Sequence, residues 1–225
     1  MLKKCINIFN NEILTASSAF FTFVTINSMA QSDVKIYHAL NKNAATWNII
    51  TSSLRDNFLI TLGRIFDKNK RSFSACYFID KCKKNIHEFG ADSLRERKIE
   101  SVSGDEPEWL DGYIEGAYSP SGSDFDKLGH VVSQAYEMYS SVYEKIRHKL
   151  VAHADAEAIF GSKNMFEQTS IDTIKQILRL LFQVHGVVWQ LYYNGMNIDV
   201  GDYNFNEEEY VSKDVKGLLE MLAKE

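Results

Sequence analysis

Apolar residues recur at helical spacing along most of the chain. Over the first forty residues Ile6, Phe9, Ile13, Phe20, Val24 and Asn27 fall roughly three or four apart, which predicts a helix with one apolar face. A second helix is predicted from about Ala44 to Phe66, with Trp47, Ile50, Leu54, Phe58, Leu62 and Ile65 as its stripe and Asn43 as N-cap. After the charged break "DKNKR", a third is predicted from about Phe73 to Phe89, carrying Cys76, Ile79, Ile86 and Phe89 and stopped by Gly90.

From there to Ser123 the period fades while five glycines and both prolines appear, so 90–123 reads as a long connection anchored by Trp109, Tyr113 and Tyr118. A long helix is predicted from about Asp124 with the stripe Leu128, Val132, Ala135, Tyr139, Val142, Ile146 and Leu150; the next position in phase is His153. "QTSIDTIKQILRLLFQVHGVVWQLYYNG" follows. Thr169 and Asp172 stand at capping-box spacing, the helix is apolar around much of its circumference, and Gly195 ends it, so it is expected to be the most buried. Asn206 before Glu207, Glu208 and Glu209 marks one more helix start, favoured by acids at the positive end of the dipole. Five to six helices, no strand and no internal repeat predict an all-α bundle: a helical domain over 1–200 and a C-terminal helix, within 201–225, packed on it.

Composition adds limits. The chain has 225 residues, 45% hydrophobic and 24% charged, with only Pro107 and Pro120, as expected of a folded helical protein. A net charge of −5 excludes the overall basic field of a non-specific nucleic-acid binder. Charge is uneven, however: Lys68 to Lys98 holds nine Lys or Arg against four acids, whereas Glu100 to Asp126 holds eight acids and no base. The first segment could meet phosphate and the second could not. Cys5, Cys76 and Cys82 form no C-x-x-C pair, so neither a disulfide framework nor a zinc ribbon is indicated and a reducing cytoplasm is expected. The apolar run Ala19–Ile26 is far shorter than a membrane span, so no membrane association is expected.

The stretch "RHKLVAH", 147–153, concentrates candidate chemistry. One reading is structural: His153 as a satisfied helix-end residue, with Arg147 and His148 solvated or paired with Glu144. A zinc site is disfavoured, because His148 and His153 are five apart and so about 140° apart around a helix. The third reading is phosphate chemistry. Metal-free RNA cleavage needs a proton carrier near neutral pH and a fixed cation, roles that histidine and arginine fill.

"YEKIRHKLVAHAD" resembles the R-x(4 to 6)-H signature of HEPN domains (higher eukaryotes and prokaryotes nucleotide-binding), with Arg147 and His153 at its two positions. "WNIITSSLRDNFLITLGRIFDKNKRSFS", then a helix, a variable connection and "IRHKLVAHAD", is similar in order and spacing to the AbiU-like abortive-infection branch over about residues 1–195. The resemblance implies a HEPN-like all-α bundle and a metal-independent endoribonuclease of a toxin or phage-defence system, without cofactor. It implies Arg147 and His153 as catalytic residues. His148 stands where members more often show Asn or Asp, and is either a second proton carrier or a tolerated polar residue. Asp155 either orients an imidazole or bonds local backbone. Lys149 and Arg71 are candidate RNA contacts. Arg64 and Asp67, three apart, read as structural, paired with each other or with Arg71.

On one straight helix Arg147 and His153 stand roughly 120° and about 9 Å apart, which converges them poorly. Either the helix breaks near Ala152, or a second subunit completes the site across a two-fold axis; the resemblance implies a homodimer. The expected function is endoribonucleolytic, with RNA as substrate and an antitoxin or other defence protein as partner. Two other classes stay open: a non-catalytic HEPN module that binds nucleotide, RNA or protein, and a structural partner in which 68–98 is a solvated face.

Overall fold

The computed structural model describes residues 1–102, 106–147, 169–197, 199, 201 and 206–224. Among them are nine α-helices and no strand: α1 (Leu2–Ser32), α2 (Val34–Lys42), α3 (Ala44–Ile65), α4 (Ala75–Lys84), α5 (Ala91–Glu100), α6 (Leu110–Glu115), α7 (Gly122–Ile146), α8 (Ile171–Asn194) and α9 (Glu207–Leu222).

The helix count exceeds five to six because short elements interrupt the predicted ones. Asp33 separates α1 from α2, its carboxylate accepting from the backbone N–H groups of Lys35 and Ile36. The element predicted over Phe73–Phe89 is α4 followed by a 3-10 turn, Ile86–Phe89. Its start is Ser74, whose hydroxyl accepts from the Tyr77 N–H. The long connection contains α5 and α6, which bury one residue each, Leu94 and Leu110. Tyr113 ties this region down by donating to the Asn194 carbonyl at 2.9 Å, and the Tyr118 N–H donates to the Gly195 carbonyl at 2.7 Å. Trp109 is half exposed and stacks only edge-on against Tyr113.

α8 is buried around most of its girth, from Ile174 to Tyr192. It packs on α1 and α7; α1 in turn packs on α3, α4 and α9, and α7 on α4. The main core joins Phe9, Phe21, Phe78, Phe125, Tyr139 and Phe182. α8 begins at Ser170, not Thr169: the Ser170 hydroxyl accepts from the Thr173 N–H, so the capping box expected of Thr169 and Asp172 is not its start. It ends at Gly195, whose φ of 56° is left-handed. A Cβ there would come within 2.6 Å of Leu94 Cδ2 and 2.9 Å of Ala117 Cβ, so α5 and the loop after α6 close onto the glycine.

A smaller cluster of Ile26, Ile36, Leu40 and Leu219 fastens α9 to α1 and α2. Asn27, placed in the predicted α1 stripe, is exposed; Thr25 and Ile26 turn inward instead. α1 is also the one described helix long and apolar enough to cross a membrane by length and composition. Its apolar residues Ile6, Phe9, Ile13, Phe20 and Phe21 nevertheless form part of the bundle core.

α7 starts on a carboxylate clamp. Asp124 Oδ2 accepts from the Ser121 N–H at 2.8 Å, the Ser121 hydroxyl at 2.9 Å and the Tyr118 hydroxyl at 2.9 Å. The Ser121 N–H contributes most to holding the Asp124 pKa at about 2, against an ordinary 3.8. A depressed folded-state pKa stabilises above pH 3.8, and the gain is lost as pH falls through about 2. Asp124→Asn is therefore expected to cost about 1 kcal/mol near neutral pH and to remove that part of the acid limb, as read by urea unfolding at stepped pH.

Candidate functional site

α7 reaches the end of α3 at Arg147, which keeps right-handed helical dihedrals, φ −55° and ψ −48°. Its partly buried side chain crosses α3 at Gly63, the first residue of "GRIFD". A Cβ on Gly63 would lie 2.3 Å from Arg147 Cδ, 2.6 Å from one terminal guanidinium nitrogen and 2.9 Å from Nε. The space that a side chain would fill at 63 is therefore occupied by the guanidinium of 147.

Two ionisable neighbours feel that charge. Asp67 is held below the ordinary carboxylate range, chiefly by the Ser72 hydroxyl, which donates to it at 2.6 Å, then by the Asn69 N–H and with a contribution from Arg147. Burial pushes the Tyr139 phenol up to about 12 while the Arg147 charge pulls it the other way. The Tyr139 ring stacks on Phe66 with centroids 5.0 Å apart, and its hydroxyl is buried with no hydrogen-bond partner among the described residues. The site thus offers a cation, an ionised carboxylate and a neutral phenol. Glu144 does not pair with Arg147; it accepts from the Tyr136 hydroxyl.

The pairing expected of Arg64 and Asp67, with each other or with Arg71, is not found. Arg64 binds Glu12 on α1, with Nε donating at 3.0 Å and a terminal nitrogen at 2.9 Å. Asp67 is engaged by Ser72 and Asn69, so neither pairs with the other or with Arg71. Asp67 folds the α3–α4 loop onto itself.

That loop opens a groove of about 590 Å³ between α4 and α7. Asp67, Lys68, Asn69, Lys70 and Ser74 come from the loop, Cys76, Tyr77, Asp80, Lys81 and Lys84 from α4, and Ser133 and Tyr136 from α7. Lys68 Nζ lies 4.2 Å from the Tyr136 ring centroid and Lys81 Nζ 5.3 Å from that of Tyr77. Tyr136 raises the Lys68 pKa, chiefly by hydrogen bonding, so this cation is secure at neutral pH. Burial raises the thiol of Cys76, keeping it protonated.

Of the residues singled out in the sequence, Arg147 does not line this groove; it is linked to it through its charge, which acts on Asp67 in the lining. Arg71 is exposed and does not line it. His148, Lys149, His153 and Asp155, with the break expected near Ala152, lie outside the described residues. No described histidine lines the groove; His185, buried on α8 near Phe9, is pushed down to about 4 by desolvation and stays neutral. Sequence reasoning missed Gly63, Lys68, Lys70, Lys81, Lys84 and Tyr136. The lysine excess over 68–98 was the available signal, but it did not show which lysines share a face.

A family model, HEPN_AbiU2 (AbiU2), matches residues 6–214. No curated protein and no solved structure matches the chain.

Ser72→Ala removes the largest contribution to the low Asp67 pKa. The Asp67 carboxyl is expected to titrate at higher pH in that variant, toward an ordinary aspartate, as followed by side-chain carboxyl NMR.

Proposed function

The chain belongs to the HEPN AbiU2 family, and from that premise we propose that it is a metal-independent endoribonuclease acting in the cytoplasm in a toxin or phage-defence role. The observation that carries this reading is Arg147, seated over Gly63 with its charge acting on Asp67, a carboxylate that lines a basic groove. Among the described residues Arg147 makes no ion pair, and a guanidinium set against a helix by shape keeps its donors for a phosphate.

In the reaction, the 2′-hydroxyl gives up its proton and its oxygen bonds to the adjacent phosphorus. The bond from phosphorus to the 5′-oxygen breaks, and that oxygen takes a proton. The products are a 2′,3′-cyclic phosphate and a 5′-hydroxyl. His153 is the proton carrier, with His148 as a second one and Asp155 orienting an imidazole. Arg147 neutralises charge growing on the non-bridging phosphate oxygens, and Lys149 and Arg71 contact the RNA strand. Because Arg147 and His153 converge poorly on one straight helix, a homodimer completes the cleft from two copies of the motif. An antitoxin or other defence protein is the expected regulator.

A second reading, a non-catalytic RNA-binding module, is favoured by one observation: the groove carries cations and aromatic rings but no described imidazole. RNA retained in gel shifts and never cut would establish it.

The deciding experiment is incubation of RNA with wild-type and His153→Ala protein in EDTA, with product ends mapped. Cleavage in EDTA and a fall of about 10²- to 10⁴-fold on His153→Ala are expected; undiminished cleavage by that variant, or complete loss in EDTA, overturns the mechanism. Gly63→Ala makes a separate prediction. The methyl displaces the far end of a flexible side chain and gains helix propensity of up to about 1 kcal/mol. Melting temperature is therefore expected to hold while cleavage falls, as it is also expected to in Arg147→Lys, where a point charge replaces the guanidinium fork.

A further inference from the structure

We infer that the groove between α4 and α7, whose lining does not include Arg147, binds the sugar-phosphate backbone of single-stranded RNA. The inference deepens the nuclease reading by giving its substrate a track, and rests on it only for the identity of the ligand as RNA. Four lysines line the groove, Lys68, Lys70, Lys81 and Lys84. Among the described residues none of them makes an ion pair. Their neighbour Lys83 points elsewhere on α4 and is paired with Asp126 at 2.5 Å. The helix thus separates its lysines: 81 and 84, one turn apart, are left unpaired in the groove while 83 is neutralised outside it.

The acids within the groove do not cancel this charge. Asp67 is bonded to Ser72 and the Asn69 N–H, and Asp80 makes no ion pair among the described residues, leaving two carboxylates against four ammonium groups. Lys68 and Lys81 rest near the rings of Tyr136 and Tyr77, which shortens the search for a bound geometry and leaves aromatic walls on both sides of the cleft. Ser133 and Asn69 add neutral hydrogen-bonding groups. Tyr77 and Tyr136 can stack on unpaired bases, whose faces a duplex would hide. With a net charge of −5 the chain as a whole offers no field that attracts RNA, so contact with phosphate has to be local.

The test uses full-length protein carrying His153→Ala, a fluorescein-labelled single-stranded oligouridylate, and anisotropy at several salt concentrations. Lys68→Ala, Lys81→Ala and Lys84→Ala together are expected to weaken binding roughly ten-fold or more and to flatten the log Kd against log salt slope by about 2. Lys83→Ala with Lys127→Ala, which remove two lysines held in ion pairs outside the groove, with Asp126 and Asp124, is expected to bind like the parent. Lys68→Arg, Lys81→Arg and Lys84→Arg together are expected to bind like the parent, which separates charge from misfolding, with thermal melts alongside. Unchanged binding by the alanine triple, equal loss by the Lys83 and Lys127 control, no binding by the parent, or tighter binding of a duplex each overturns the subsite. The nuclease reading fails on a different readout: a wild type that binds through these lysines but never cuts leaves the groove standing and removes the activity.

Discussion

The arrangement depends on one helix that has almost no face to give to water. α8 buries Ile174, Ile177, Leu178, Leu181, Val184, Val188 and Leu191 together with flanking residues on other sides of its axis. The cost of exposing that surface obliges α1 and α7 to pack against it. Once α7 lies along α8 and α1 along both α8 and α3, the far end of α7 meets the far end of α3. Arg147 then has to pass over α3 somewhere, and it does so where the chain carries no side chain.

The site is in this sense a by-product of core packing refined by two small features. One is Gly63, whose missing Cβ sets the depth at which the guanidinium lies. The other is the Asp67 turn, in which Ser72 and Asn69 supply the hydrogen bonds that keep a carboxylate ionised beside it. Neither feature is an ion pair to Arg147. A cation held by shape and by a diffuse field retains its capacity for an incoming anion, whereas one locked to a carboxylate would have to break that pair first.

Long periodic helices were legible from the residues. α3, α7 and α8 lie close to where their apolar stripes put them, and Gly195 ends α8 as a left-handed glycine. α5 and α6 were not legible, because a helix that buries a single leucine has no period to detect. The break at Asp33 was hidden by apolar residues that continue in phase past it, although Asp33 is itself a good cap. In the candidate site, Arg147 could be singled out because its signature is local in sequence. The groove lysines could not: 68 and 70 come from a loop, and 81 and 84 from the next helix. Only the fold of α4 against α7 shows that they face Tyr136 and that Lys83 does not.

The contact between α1 and α9 has a temporal side. Thr25 and Ser212 share a hydrogen bond across 187 positions, and Leu219 closes the small cluster with Ile26, Ile36 and Leu40. During synthesis α1 and α2 emerge long before the segment that covers them, so an apolar patch waits uncovered while the rest of the bundle forms. Complete closure of the fold is consequently a late event, and a partly made chain has a surface that chaperones can hold.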